Sequence, residues 1–345
     1  MAFGAFLRRA PSTAAGSPAS AATTHPPTEW WARLRRHRAS LAGLVVLAIF
    51  ALLAIAAPLV TPYDPVQQRL RDALLNPSLA HPLGTDYLGR DLLTRILYGA
   101  RYSLVIGFLA VGMGAMMGVP LGALSGYYGG LADLVIQRFV DILLSFPGFL
   151  LALSLVAILG VGVENVVISV GVGATPSFVR LVRASTLSIR QLTYVEAARA
   201  LGARSGIIIF RHALPNAMAP VIVQATLSLG SAILVAAGLG FLGLGVQPPA
   251  PEWGSMLGEG RNYIFSNPNM ATFPGMAIFL AVLAFNLVGD GLRDALDPRL
   301  RIREYHPVND VLRRARSKSV DRRSITLGPH HSRPCCSRIV GAMFE

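Results

Sequence analysis

The chain has 345 residues, of which 53% are hydrophobic and only 14% charged, against the roughly 25% charged expected of a soluble globular chain. Its mean hydropathy is +0.52 and its formal net charge is +13, which excludes an ordinary soluble domain and leaves a basic membrane protein or a nucleic-acid binder. The arginines decide between them: Arg8, Arg9, Arg33, Arg35, Arg36 and Arg38 precede the first apolar run, and Arg180, Arg183, Arg190, Arg199, Arg204 and Arg211 fill one later loop. That is the positive-inside pattern of a membrane protein. Aromatic residues do not interleave with the basic clusters as a stacking platform requires, so no nucleic-acid partner is expected.

Residues 1–40 open with an Ala, Ser, Thr and Pro-rich stretch that cannot bury a core, then turn basic from Trp30 to Arg38; they read as a cytoplasmic N-terminal tail. Residues 41–61 form the first expected transmembrane helix. Leu41 to Val60 is free of charge and holds twelve Leu, Ile, Val or Phe residues, which favour insertion by roughly 4 to 7 kcal/mol. A cleaved signal peptide has an apolar region of only about 7 to 15 residues nearer the start, so an uncleaved span is expected. Residues 62–102 mix charges with Pro62, Pro65, Pro77 and Pro82 and read as an external segment. Within them, Asp91 to Tyr102 is expected to be an amphipathic helix lying near the membrane surface.

Residues 103–293 are the expected core, with spans at Ser103 to Gly126, Asp141 to Gly160, Val163 to Leu181, Ala219 to Gly245 and Ala271 to Gly291. The pattern predicts an all-α membrane protein with about six transmembrane helices in a lipid bilayer and both termini cytoplasmic. Charge agrees: the loop from Val246 to Met270, expected outside, holds one basic residue, Arg261, whereas the loop from Arg180 to Met218 holds six. Residues 294–345 read as a cytoplasmic C-terminal tail. Cys335 and Cys336 are the only cysteines, so no disulfide framework exists. Their neighbourhood with His330 and His331 is a Pro, Ser and Arg-rich tail, read as disordered chain rather than a metal site.

Two spans carry internal patterns. Gly114, Gly118, Gly122 and Gly126 recur at every fourth position and place a glycine stripe along one helix face, where another backbone can approach closely. Gln224, Ser228 and Ser231 share one face of the fifth span, and Asn286 is a polar residue deep in the sixth. Polar side chains inside a span face the bundle interior or a water-filled cavity, which makes these four candidates for the translocation path. Helix-to-helix hydrogen bonding is the equal alternative.

The longest internal loop, 190–216, reads as two short helices. Thr193 and Glu196 have capping-box spacing, Gly202 suits a left-handed helix end, Ser205 starts the second helix and Pro215 marks its end. The sequence Glu196-Ala197-Ala198, then Gly202, then His212-Ala-Leu214-Pro215 resembles the EAA loop of binding-protein-dependent ABC importer permeases. Other stretches resemble the peptide and nickel branch of that family: His81-Pro-Leu-Gly-Thr-Asp86 with Gly89-Arg-Asp91 and Gly99-Ala-Arg101; Ser125-Gly-Tyr-Tyr-Gly129; Phe241-Leu-Gly-Leu-Gly245 with Pro251-Glu-Trp-Gly254; and Gly289 to Asp294 with Leu296-Asp-Pro-Arg-Leu300. Together they cover about residues 33 to 303 and are most like the second, DppC/OppC-like permease of dipeptide and oligopeptide importers.

The resemblance implies a type I ABC importer permease fold in the bacterial inner membrane. It also implies a sister permease in a heterodimer, two cytoplasmic ABC ATPase subunits that bind the ATP, and an extracytoplasmic substrate-binding protein. Glu196, Ala197, Ala198, Gly202, His212, Leu214 and Pro215 then form the loop that couples to the ATPase. Glutathione or nickel in place of a peptide remains an alternative cargo. No catalytic or metal site and no cofactor of its own is expected: Lys318, the only lysine, follows Ser317 rather than a glycine, so no phosphate loop exists. An ion-coupled secondary transporter is the runner-up, but Asp141, Glu164 and Asp290 lie at span ends, leaving no carboxylate at mid-span. The family normally stops soon after a motif like Asp297 to Leu300, so residues 304–345 depart from it.

Overall fold

The computed structural model describes Leu34 and residues 37–296. The expectations for most of the N-terminal tail, and for Lys318, the His330/Cys335 neighbourhood and the C-terminal tail past Leu296, lie outside those residues. Among the described residues the elements are helices: α1 Arg38–Val60, α2 Leu92–Tyr128, α3 Gly130–Leu144, α4 Gly148–Leu159, α5 Val163–Ile189, α6 Thr193–Ala200, α7 Ser205–Phe241, α8 Trp253–Gly260 and α9 Asn269–Leu296. Five of them (α1, α2, α5, α7 and α9) are long and apolar enough to cross a membrane, and the pair α3 and α4 makes a sixth if counted as one broken span.

Three expected elements are corrected. The separate amphipathic helix at Asp91 to Tyr102 does not exist; Asp91 caps α2, its carboxylate accepting the Thr94 N–H at 2.8 Å, and the helix runs unbroken for 37 residues. Its first turns are buried rather than spread on a surface, because Leu92, Ile96 and Ala100 pack with Trp253 and Met256. The third span, Asp141 to Gly160, is broken: α3 and α4 meet at 89°. Pro147 supplies the reason, since it has no N–H for a continuing helix and disfavours helical backbone at Phe146. The fourth span runs past Leu181 to Ile189.

The glycine stripe lies where α2 meets α5. A Cβ on Gly114, Gly118, Gly122 or Gly126 stands 2.6 to 2.9 Å from atoms of Gly171, Phe178, Val179 and Arg183, so the two backbones touch along three turns. On the other side, α9 packs antiparallel to α7 and against α1. Gly43 of α1 abuts the Ala284 carbonyl, and Gly289 abuts Leu227. Pro58 cannot donate to the Ala54 carbonyl four residues back. Arg101 of α2 fills that vacancy, its Nε donating to Ala54 O at 2.6 Å and its Nη2 to Ile55 O at 3.2 Å.

The bundle thus has two ends. One gathers the start of α1, the ends of α2, α5 and α9, and the segment carrying α6. The other, formed by residues 61–91, α8 and the loops beside it, closes over the opposite helix ends.

Candidate functional site

The segment between α5 and α7 is a compact helical knuckle. Val195 anchors α6, fully buried in one core cluster with Ile208, Ile209 and Ala213. Asn216 Nδ2 donates to the Tyr194 hydroxyl at 3.1 Å and to the His212 carbonyl at 2.6 Å, tying α6 to the start of α7. The capping box does not form. Leu192 is the N-cap, its carbonyl taking the N–H groups of Val195 and Glu196 at 2.9 and 3.2 Å, and Thr193 stands one position too late to cap. Glu196 is therefore exposed and makes no side-chain hydrogen bond or ion pair among the described residues.

Gly202 has φ +81°, the left-handed value expected of it, and open space where a side chain would lie. Pro215 does not end the second helix. Residues Ile208–Ala213 form a π-helical turn, and Pro215 sits in the first turn of the α-helical stretch that follows. Proline is tolerated in the first turn of an α-helical stretch, where its fixed φ suits the helix and its missing N–H breaks no interior ladder. Ala197 is exposed, Ala198, His212 and Leu214 are half-buried, and Leu201 and Phe210 are 89% and 72% exposed. One carboxylate and several apolar side chains thus share an otherwise arginine-rich surface.

Beneath the knuckle the helix ends are latched by contacts the sequence reading did not pair. Arg183 forks onto Asp133 at 2.5 and 2.6 Å, Ser125 donates to the same carboxylate, and Arg180 reaches Asp141 at 2.7 Å. Arg190 donates to the Tyr127 carbonyl at 3.0 Å at the end of α2, and the Arg199 guanidinium lies over the Tyr127 ring. The available signal was two acids on α3 and two arginines on the last turns of α5.

The candidate path residues separate. Gln224, Ser228 and Ser231 of α7 line a cavity of about 210 Å³ with Ser177 and Gly173 of α5 and Gly148 of α4. Gln224 Nε2 donates to Ser228 Oγ at 3.1 Å. Asn286 is not in that cavity; it is exposed on α9, opposite Gly230 of α7.

At the other end, motifs distant in sequence converge. Arg90 Nε donates to Asp86 at 2.5 Å and its Nη2 to Glu259 at 3.1 Å, and Arg95 lies 3.6 Å from both carboxylates. His81 Nδ1 contacts Asp91 at 3.0 Å. Gly89, with φ +74°, cannot carry a Cβ, which would overlap the Arg69 carbonyl. The Trp253 indole packs on Gly99 and donates to the Ile96 carbonyl at 3.0 Å. Glu252 caps α8 through the N–H groups of Gly254 and Ser255, and with no basic partner its burial raises the carboxyl pKa above the ordinary value of 4.5. Burial also raises Glu259, against the pull of Arg95 and Arg90.

Residues 118–302 match the family described as the binding-protein-dependent transport system inner membrane component, and residues 28–77 match the N-terminal TM domain of oligopeptide transport permease C. The chain is 51% identical over 278 residues to a glutathione transport system permease protein, GsiD, of Pectobacterium atrosepticum, covering 80% of this chain and 92% of that one. It is 48% identical over 276 residues to a dipeptide transport system permease protein, DppC, of Alkalihalophilus pseudofirmus, covering 80% and 91%. Among solved structures, the inward-facing MetNI methionine ABC transporter is similar at 24% identity and TM-score 0.49, covering 59% of this chain and 96% of that chain. With the knuckle, a bundle of five spanning helices plus the broken α3 and α4 pair, and a match over more than half its length, the chain belongs to the binding-protein-dependent inner membrane components: it is a multi-pass permease subunit of an ABC importer, not an enzyme.

Proposed function

We propose that this subunit imports short peptides as half of a heterodimer with a sister permease, and that its knuckle, residues 190–216, docks into a groove on a cytoplasmic ATPase. The observation that carries this reading is the knuckle surface: Glu196, Leu201 and Phe210 are all exposed on a segment anchored by buried Val195. Exposed apolar side chains and a single carboxylate among arginines, anchored to the helix ends, give a partner a surface through which to push on the membrane helices. Gly202 and the π-helical turn at Ile208–Ala213 are the joints of that lever.

Charge supports the orientation. Among the described residues the knuckle end carries nine arginines and five carboxylates, whereas the other end carries six arginines and seven carboxylates. The positive-inside rule then puts the knuckle and both ends of the described chain in the cytoplasm. The opposite end, stapled by the Asp86, Arg90, Arg95 and Glu259 network, faces the substrate-binding protein. Relatives named for dipeptide and for glutathione support a peptide cargo, since glutathione is itself a tripeptide.

Reconstitution of the whole importer in proteoliposomes with its binding protein tests the cargo. Labelled alanyl-alanine or glutathione is expected to accumulate, and nickel is not. Accumulation of nickel with neither peptide overturns the reading.

A further inference from the structure

The cavity between α4, α5 and α7 has a composition that specifies its ligand. Its polar lining is Gln224, Ser228, Ser231 and Ser177, all neutral, and the rest of the wall is Gly148, Gly173 and five alanine and valine side chains. No charged side chain lines it. A cavity of about 210 Å³ holds about seven waters at about 30 Å³ each. That is room for one peptide unit and a small side chain, not for a whole tripeptide.

Its position matters as much. Ser177 lies one turn before Arg180 and Gly148 seven residues past Asp141, the pair that latches the knuckle end, so the cavity sits inside the bundle in the half nearer the knuckle. Gly148 is the first residue of α4, directly after the 89° break, and no side chain caps that helix. The first N–H groups of a helix have no partner within it. Broken helices build substrate sites in other transporters by the same logic. Serine hydroxyls and the Gln224 amide donate and accept, the complement of a peptide linkage with its N–H and C=O. Neutral oxygen and amide groups do not make a transition-metal site, which selects imidazole or thiolate.

We infer that this cavity is a transit subsite that reads one uncharged peptide linkage of the cargo, on the face of this subunit that lines the path. The inference rests on the peptide-import reading above and adds to it where on the chain the cargo is touched and by which chemistry. Ser177 and Ser231 are exposed on the open side of the cup, so the sister permease completes it.

The test uses the full importer in proteoliposomes, with labelled alanyl-alanine and glutathione as probes. Gly148→Leu fills the cup, and no heavy atom stands within 4 Å of the added Cβ, so assembly is expected to survive. Uptake of both peptides is expected to fall at least tenfold while ATPase activity stimulated by the binding protein persists. Gln224→Leu with Ser228→Ala keeps the shape and removes the hydrogen bonding; a rise of about tenfold in the concentration for half-maximal uptake is expected. Gly112→Leu, at an exposed glycine with no atom within 4 Å, is the control. If Gly148→Leu disturbs assembly, the Gln224 and Ser228 pair decides. Wild-type uptake by the variants overturns the subsite and leaves the importer reading standing. Failure of the wild-type complex to take up either peptide overturns both.

Discussion

Replacing Gly118 with alanine adds one methyl group where α2 and α5 pack backbone to backbone. The added Cβ stands 2.6 Å from the Cβ of Phe178 and 2.8 Å from the Thr175 carbonyl, where ordinary contact begins at 3.4 Å. The shortfall of about 0.8 Å cannot be absorbed by a side-chain rotation, since both neighbours belong to or adjoin the α5 backbone, so α2 and α5 must part. Overpacking of this kind costs about 1 to 3 kcal/mol, which lowers a melting temperature by about 2 to 12 °C at about 2 to 4 °C per kcal/mol. The control is Gly112→Ala on the same helix, where the added Cβ meets nothing within 4 Å and the better helix propensity of alanine adds up to about 1 kcal/mol. Thermal unfolding of the purified complex should therefore order the variants as Gly112→Ala, wild type, Gly118→Ala. Equal melting temperatures for the two alanine variants refute the close-packing account of the stripe.

Two further perturbations separate backbone strain from packing and from charge. Gly202→Val puts a β-branched residue at φ +81° with open space around it. The left-handed backbone alone costs about 1 to 2 kcal/mol, so transport should fall with membrane insertion intact, and Gly202→Asn should retain most of it; equal uptake by Val and Asn variants counts against the joint. Glu252 is held above its ordinary pKa by burial, so the folded state binds the proton more readily than the unfolded one and this contribution to stability declines as pH rises through the raised value. The melting temperature should fall as pH rises above the ordinary carboxyl value of 4.5, and Glu252→Gln should flatten that slope; an unchanged slope in the variant removes Glu252 as its source.

Much of the bundle was legible because its signals are local. Hydropathy runs located the spans, the four-residue glycine period located a helix contact, and Gly202 announced its own left-handed backbone. What the sequence hid was set by register and by distance. The 89° break is marked by a single proline, Pro147, while the prolines at Pro120, Pro176, Pro220 and Pro274 sit inside unbroken helices; the residue type alone does not tell a break from a continuation. Pro215 misled for the same reason, because a π-helical turn moved the register before it. The Asp86, Arg90, Arg95 and Glu259 network joins residues up to 169 positions apart, and its buried charges read in sequence as ordinary loop polarity. Gln224 and Ser228 were visible as one helix face, but Gly148 and Ser177 belong to their cavity only through the fold.

The central claim is that ATP hydrolysed by a partner drives peptide through this subunit by way of the knuckle, and uptake by the reconstituted importer with the energy source varied tests it most directly. A binding protein shifts the permease only by its differential affinity for the two states, so ATPase activity should rise when it and peptide are both present. With ATP inside and a protonophore added, accumulation of labelled alanyl-alanine is expected to continue unchanged. With the partner ATPase inactivated and a proton gradient intact, it is expected to stop. Uptake that persists without ATP and collapses with the protonophore would contradict the account and favour an ion-coupled transporter.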